Sequence, residues 1–293
     1  MPHHVLEIHP YLEVINYEDY DSSYFENLVI GSFPINAITD TQLENGQIEA
    51  TPLNQNDAAM RFFYGSNRNN FWPWFANAFN AENPLEEANP ETRKQVAVNL
   101  LVDNKFLITD VLSKTNRKNT SALDSDLWVK TNNQFVLQNR SLNHNLNNLL
   151  NNNKAIKNLY FTATGLNGKT PFGWFKDIFG EELVFQNINV FHNNTVSATI
   201  TINQRQYNTF FLITPGGGWA RRIPFTGVNN DGMFSNFLIN MDIDFYNQVA
   251  HIPKEQRTKQ QEDALKNNRK QYIIYYYTQL LNVKNMMFNG NVD

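Results

Sequence analysis

NLVIGSFPI, residues 27–35, joins an apolar run, NLVIGS (27–32), to a turn, GSFPI (31–35). Leu28, Val29 and Ile30 do not alternate with polar residues, which suits a strand covered on both faces rather than one facing water. Gly31 and Pro34 then punctuate the chain. Three more runs have the same character: KFLITDV (105–111), KNLYFTA (157–163) and TFFLIT (209–214). Helical periodicity fills the spaces between them at 69–80, 91–103, 141–151 and 171–179. Buried strands alternating with helices predict a mainly parallel sheet. The expectation is therefore an α/β fold, a three-layer α/β/α sandwich around a mainly parallel four-stranded sheet.

Working outward, residues 36–60 read as an insertion and SATITINQRQYNTFF (197–211) reads as a hairpin placed before the last core strand. Two amphipathic helices follow, at 232–248 and about 255–283. No linker divides the chain, so residues 1–293 are expected to form a single domain. Its core would span about 27–225, with a C-terminal helical extension at about 231–293.

Composition sets further bounds. A chain of 293 residues with 41% hydrophobic and 18% charged residues can bury a sizeable core. No apolar run is long enough to span a bilayer, and the opening MPHHVLEIHP lacks the pattern of a signal peptide. A cytoplasmic, non-membrane protein is expected. With no cysteine, disulfides, thiol catalysis and thiolate metal sites are excluded. The six histidines (3, 4, 9, 144, 192 and 251) are scattered, with His192 read as structural, so neither a metal nor a cofactor is expected. A net charge of −4 argues against a general nucleic-acid coat, whose affinity rests on Lys and Arg. Local basic spots remain at 254–270, read mainly as a solvated helix face, and at Arg221 and Arg222.

In open α/β sheets ligands bind beyond the carboxyl ends of the strands. Here those ends carry GSFPI (31–35), TDVLSKTNRKNTSALDS (109–125) and TPGGGWARR (214–222). Gly216, Gly217 and Gly218 let a backbone approach a ligand closely, or simply form a flexible turn. They match neither a Walker loop nor a dinucleotide fingerprint. The segment FFYGSNRNNFWPWF (62–75) sets seven aromatics around the polar knot Gly65 to Asn70.

Four pieces in order resemble the uracil-DNA glycosylase superfamily, closest to its hypoxanthine-DNA glycosylase branch. They are Gly31-Ser32-Phe33-Pro34; Tyr64 through Trp72, ending in Arg68-Asn69-Asn70-Phe71-Trp72; Asp110-Val111-Leu112 with Arg117 and Ser121-Ala122-Leu123-Asp124-Ser125; and Thr214-Pro215-Gly216-Gly217-Gly218. The resemblance covers roughly residues 27–225. It implies a monofunctional glycosylase that hydrolyses the N-glycosidic bond of a flipped base in double-stranded DNA, acting as a monomer.

On that resemblance Asn69 is the catalytic residue and Asp110 the second candidate for steering water. Either has a structural reading beside it: a helix cap for the 69–80 helix, with Ser66 or Asn67 also able to cap, and a loop cap for Asp110. Gly31, Ser32, Phe33, Phe63, Tyr64, Ser66 and Thr164 would form the base pocket. Arg68, Arg117, Thr214, Gly216, Gly217, Gly218, Trp219, Arg221 and Arg222 would face DNA, with Trp219 as a wedge or as plain core. The chain departs from the superfamily at Phe33, where an acidic or amide residue is usual, and at Thr214, where many branches place a histidine. Added loops and altered pocket residues point to a bulky modified cytosine of phage DNA, in antiviral defence. Deaminated bases such as hypoxanthine and uracil, or a catalytically silent DNA-binding sensor, are the competing readings.

Overall fold

The computed structural model describes residues 6–12, 21, 23–43, 45–54, 56–117, 127, 129–131, 134–136, 142–191, 194–216, 223, 225 and 233–282. Its main sheet has six strands. Four are the apolar runs: β2 (Asn27–Gly31), β5 (Phe106–Asp110), β9 (Asn158–Phe161) and β12 (Arg205–Phe211). Each pairs parallel with its neighbour, in the order β12-β9-β2-β5. The chain is therefore of the α/β class, with β2 and β12 in one sheet.

Side chains alternate between two covered faces, which is why the runs are apolar throughout. Val29, Ile108, Tyr160 and Phe210 enter the core beneath α1 (Phe71–Ala78), α2 (Arg93–Asp103) and α7 (Lys259–Leu281). Leu28, Ile30, Leu107, Leu159, Phe161 and Phe211 enter a second core beneath α3 (Asn145–Asn152) and α4 (Pro171–Phe179). Both cores are dense with aromatic rings; Phe161 alone lies within 5.0 Å of Phe172 and of Phe175, centroid to centroid.

Three expectations are corrected. The 197–211 hairpin is not inserted before the last core strand, because its second arm is that strand. β11 (Asn194–Ile202) pairs antiparallel with β12, and β10 (Leu183–Phe191) extends the sheet by one more antiparallel strand. The 36–60 stretch is not a bare insertion. Its β3 (Asp40–Gln42) and β4 (Ile48–Ala50) join β1 (Leu6–Ile8) and β6 (Lys114–Asn116) in a second sheet, antiparallel throughout. The 232–248 helix is two helices, α5 (Met233–Met241) and α6 (Ile243–Ala250). Asp242 separates them in extended backbone and its carboxylate accepts from Phe245 N–H, so a new cap forms where one long helix would have run on.

A short hairpin of β7 (Val129–Thr131) and β8 (Gln134–Val136) completes the strands. The helix expected over 255–283 is α7, opened by a reciprocal capping box between Thr258 and Gln261. Its Tyr276 and Tyr277 hydroxyls donate to the carbonyls of Phe211 and Ile213, each at 2.7 Å. The C-terminal extension thus holds the segment that leaves β12 for the carboxyl edge of the sheet. Among the described residues no helix is long and apolar enough to cross a membrane.

Candidate active site

A cavity of about 230 Å³ opens at the carboxyl end of the parallel strands. All four strands contribute: Ser32 follows β2, Asp110 ends β5, Thr162 follows β9 and Thr214 follows β12. The connection from β2 leads to β5 on one side, whereas that from β9 leads to β12 on the other. The cavity thus lies where the strand order reverses, the place at which open α/β sheets bind ligands.

The polar knot of 65–70 builds one lip. Ser66 Oγ accepts from Arg68 N–H at 3.2 Å, and Asn69 N–H donates to Ser66 O at 3.0 Å. Asn69 Oδ1 accepts from Phe71 N–H at 2.9 Å, so α1 begins at Phe71 rather than at residue 69. Asn70 N–H reaches Pro215 O at 2.9 Å, stitching this lip to the loop after β12. The flanking aromatics anchor it: Trp72 Nε1 donates to Phe63 O at 2.7 Å, and Tyr64 stacks on Phe71 at 4.5 Å.

Tyr64 itself has φ of 55°, a left-handed conformation that a bulky residue adopts only when its surroundings enforce it. Its hydroxyl donates to Thr162 Oγ1 at 2.9 Å. A side chain at Gly31 would collide with that hydroxyl and with Asp110 Oδ1, so this glycine permits the close approach. Gly65 has the same role at the lip, where a Cβ would strike Met60 O.

Asp110 lies at the floor, 3% exposed. Its Oδ2 lies 2.9 Å from Nε2 of His9, which is also buried. Tyr11 N–H donates to His9 Nδ1 at 3.0 Å, so the imidazole carries its proton on Nε2 and donates to Asp110. Three aromatic rings surround the imidazole: Phe63 at 5.0 Å, Phe33 at 5.7 Å and Tyr11 at 6.3 Å.

The expected site residues divide accordingly. Ser32, Phe33, Tyr64, Ser66, Arg68, Asn69, Asp110, Thr214 and Gly216 all line the cavity. Gly31 and Phe63 lie immediately behind its wall, the latter against His9. Thr164 is not on the wall; Thr162, two residues earlier, is. Arg117 is corrected from a DNA contact to a buried support. It is 6% exposed, its guanidinium grips Glu7 at 3.0 Å and donates to Pro34 O at 2.6 Å, and it sits 5.9 Å from the Phe33 ring centre. A charge so engaged does not reach phosphate; it fixes the Phe33-Pro34 wall instead. Gly217, Gly218, Trp219, Arg221 and Arg222, the 121–125 motif and His192 lie outside the described residues.

His9 is the residue that the motifs miss, and its separation from Asp110 by 101 positions leaves no spacing to read. The only local cue is its place directly after β1, whose Leu6-Glu7-Ile8 alternates apolar and charged residues. Among the described residues no group of three or more His, Asp or Glu side chains converges on one point. Searches against family models, curated proteins and solved structures return no match to this chain.

Proposed function

We propose that this chain is a monomeric DNA glycosylase of the uracil-DNA glycosylase type, hydrolysing the bond between a flipped, damaged or modified base and its sugar. The observation that carries the reading is a buried carboxylate, Asp110, at the floor of a base-sized cavity at the carboxyl ends of four parallel strands. The order of those strands and the Gly31-Ser32-Phe33-Pro34 and Arg68-Asn69-Asn70-Phe71-Trp72 motifs at the rim support the superfamily reading.

Glycosidic cleavage leaves positive charge on the sugar, and water must reach the anomeric carbon. Asp110 suits both needs, since an anion stabilises the cation and an oriented oxygen steers the water. When the bond breaks, its electron pair leaves with the base nitrogen, and water adds to the sugar, its surplus proton passing to the departing base anion, to give an abasic site and the free base. Asp110 takes first place over Asn69, whose amide oxygen already caps Phe71 N–H. The amide N–H groups of Asn69 remain as donors toward the departing base. Phe33, Tyr64 and Pro215 supply apolar walls, and exposed Arg68 stands at the rim for a phosphate.

A cavity of about 230 Å³ that opens to solvent is large enough to receive a flipped nucleobase. The loops added to the superfamily core and the altered pocket residue Phe33 favour a modified cytosine ahead of unsubstituted uracil. Flipping the base costs a few kcal/mol, which the cavity must return.

The test is single-turnover incubation with duplexes carrying uracil, hypoxanthine, hydroxymethylcytosine or its glucosylated form, scored for abasic sites. Base release from at least one, fastest from a substituted cytosine, is expected. No abasic site with any of them, under conditions where the duplex is bound, would contradict the reading.

A further inference from the structure

The His9–Asp110 pair supports an inference that rests on the glycosylase reading and deepens it. We infer that His9 is a positioning residue: its Nε2–H holds Oδ2 of Asp110 and so commits the other carboxylate oxygen to the reacting centre. Oδ1 lies on the side of Gly31 and the Tyr64 hydroxyl, and Asp110 lines the cavity, whereas the His9 side chain is 0% exposed. The imidazole therefore acts through the carboxylate and not on a ligand directly.

Both ring nitrogens already have partners, Tyr11 N–H on Nδ1 and Asp110 on Nε2. Those two partners fix the ring's orientation and leave Nε2–H aimed at the carboxylate, so its task is donation to Asp110. Its backbone is fixed as well. His9 N–H donates to Ser113 O at 2.9 Å, three residues beyond Asp110, so β1 and the strand leaving the carboxylate move as one piece. The second sheet thereby has a function that its short strands do not advertise, which is to deliver His9 beneath the parallel sheet.

The experiment compares His9→Gln with His9→Asn. A glutamine amide nitrogen reaches the place of Nε2, whereas that of asparagine is one methylene short. His9→Gln should keep most of the single-turnover rate. His9→Asn should lose roughly 10- to 100-fold, the scale on which groups that orient a reacting ligand act, with duplex affinity unchanged. In an Asp110→Asn background His9→Asn should cost little more, because its effect passes through that carboxylate. Equal rates for folded His9→Gln and His9→Asn, or full additivity with Asp110→Asn, would overturn the proposal. Histidine ¹⁵N NMR on the unaltered protein tests it independently of turnover: the proton must be on Nε2 of His9, and a proton on Nδ1 contradicts the assignment. Absence of base release from the unaltered protein would remove the glycosylase reading, while the NMR result still decides the pairing.

Discussion

The parallel strands carry a cavity at each end, and the two are nearly equal in size, about 230 Å³ at the carboxyl end and about 240 Å³ at the amino end. Their chemistry differs. At the amino end, Asn158 donates to Asn27 at 2.9 Å and Asn208 donates to Asn158 at 3.0 Å, an amide ladder across three neighbouring strands. The charged groups there, Glu26, Asp103 and Lys105, are partly or fully solvent-exposed, and Glu26 pairs with Lys105. At the carboxyl end the carboxylate is buried, a tyrosine is held at φ of 55°, and the rim is stitched from a distant lip. Volume alone does not mark a site. The difference is between polar groups that satisfy one another along the sheet and a buried anion presented to a space.

The largest effect expected from breaking this contrast is at Gly31. Gly31→Ala places a methyl group where Tyr64 Oη and Asp110 Oδ1 now lie, so the carboxylate must shift. A misplacement of about 1 Å at a reacting group costs on the order of a hundredfold in rate. Single-turnover base release should fall by that scale, and an unchanged rate would mean that Asp110 need not be where it is.

Asn69 sharpens the comparison from the other side, since it lines the cavity yet serves the helix. Asn69→Ala should lower stability by about 1 kcal/mol through the lost acceptor of Phe71 N–H and slow cleavage only modestly. Thermal melting and base release on the same preparation check this. A large rate loss in a protein of undiminished stability would restore Asn69 as the residue that orients water.

The four parallel strands were legible in the sequence because burial on both faces leaves an unbroken apolar run such as Leu28-Val29-Ile30. The second sheet was not, because three-residue strands such as DTQ and IEA are specified by pairing partners rather than by their own side chains. Ser32, Phe33 and Thr214 could be placed at the cavity because they follow parallel strands, and Tyr64 to Asn69 because a polar knot interrupts an aromatic segment. His9 was hidden because its partner is remote in the chain, and Arg117 was misplaced for the same reason: Glu7, also remote, draws it inside. Local pattern reports which segments are buried, and long-range pairing decides which polar groups are buried with them.

The most direct test of the central claim sets the two ends of the sheet against each other in one assay. Asp110→Asn and Asn158→Leu are compared with the unaltered protein for single-turnover release of a modified base, normalised to folded protein. Asp110→Asn should lose roughly 10²- to 10³-fold, the scale for removing one preorganised electrostatic group from a site. Asn158→Leu should lose about 1–3 kcal/mol of stability through broken amide pairs and keep its rate per folded molecule. Comparable rates for Asp110→Asn and the unaltered protein would contradict the account.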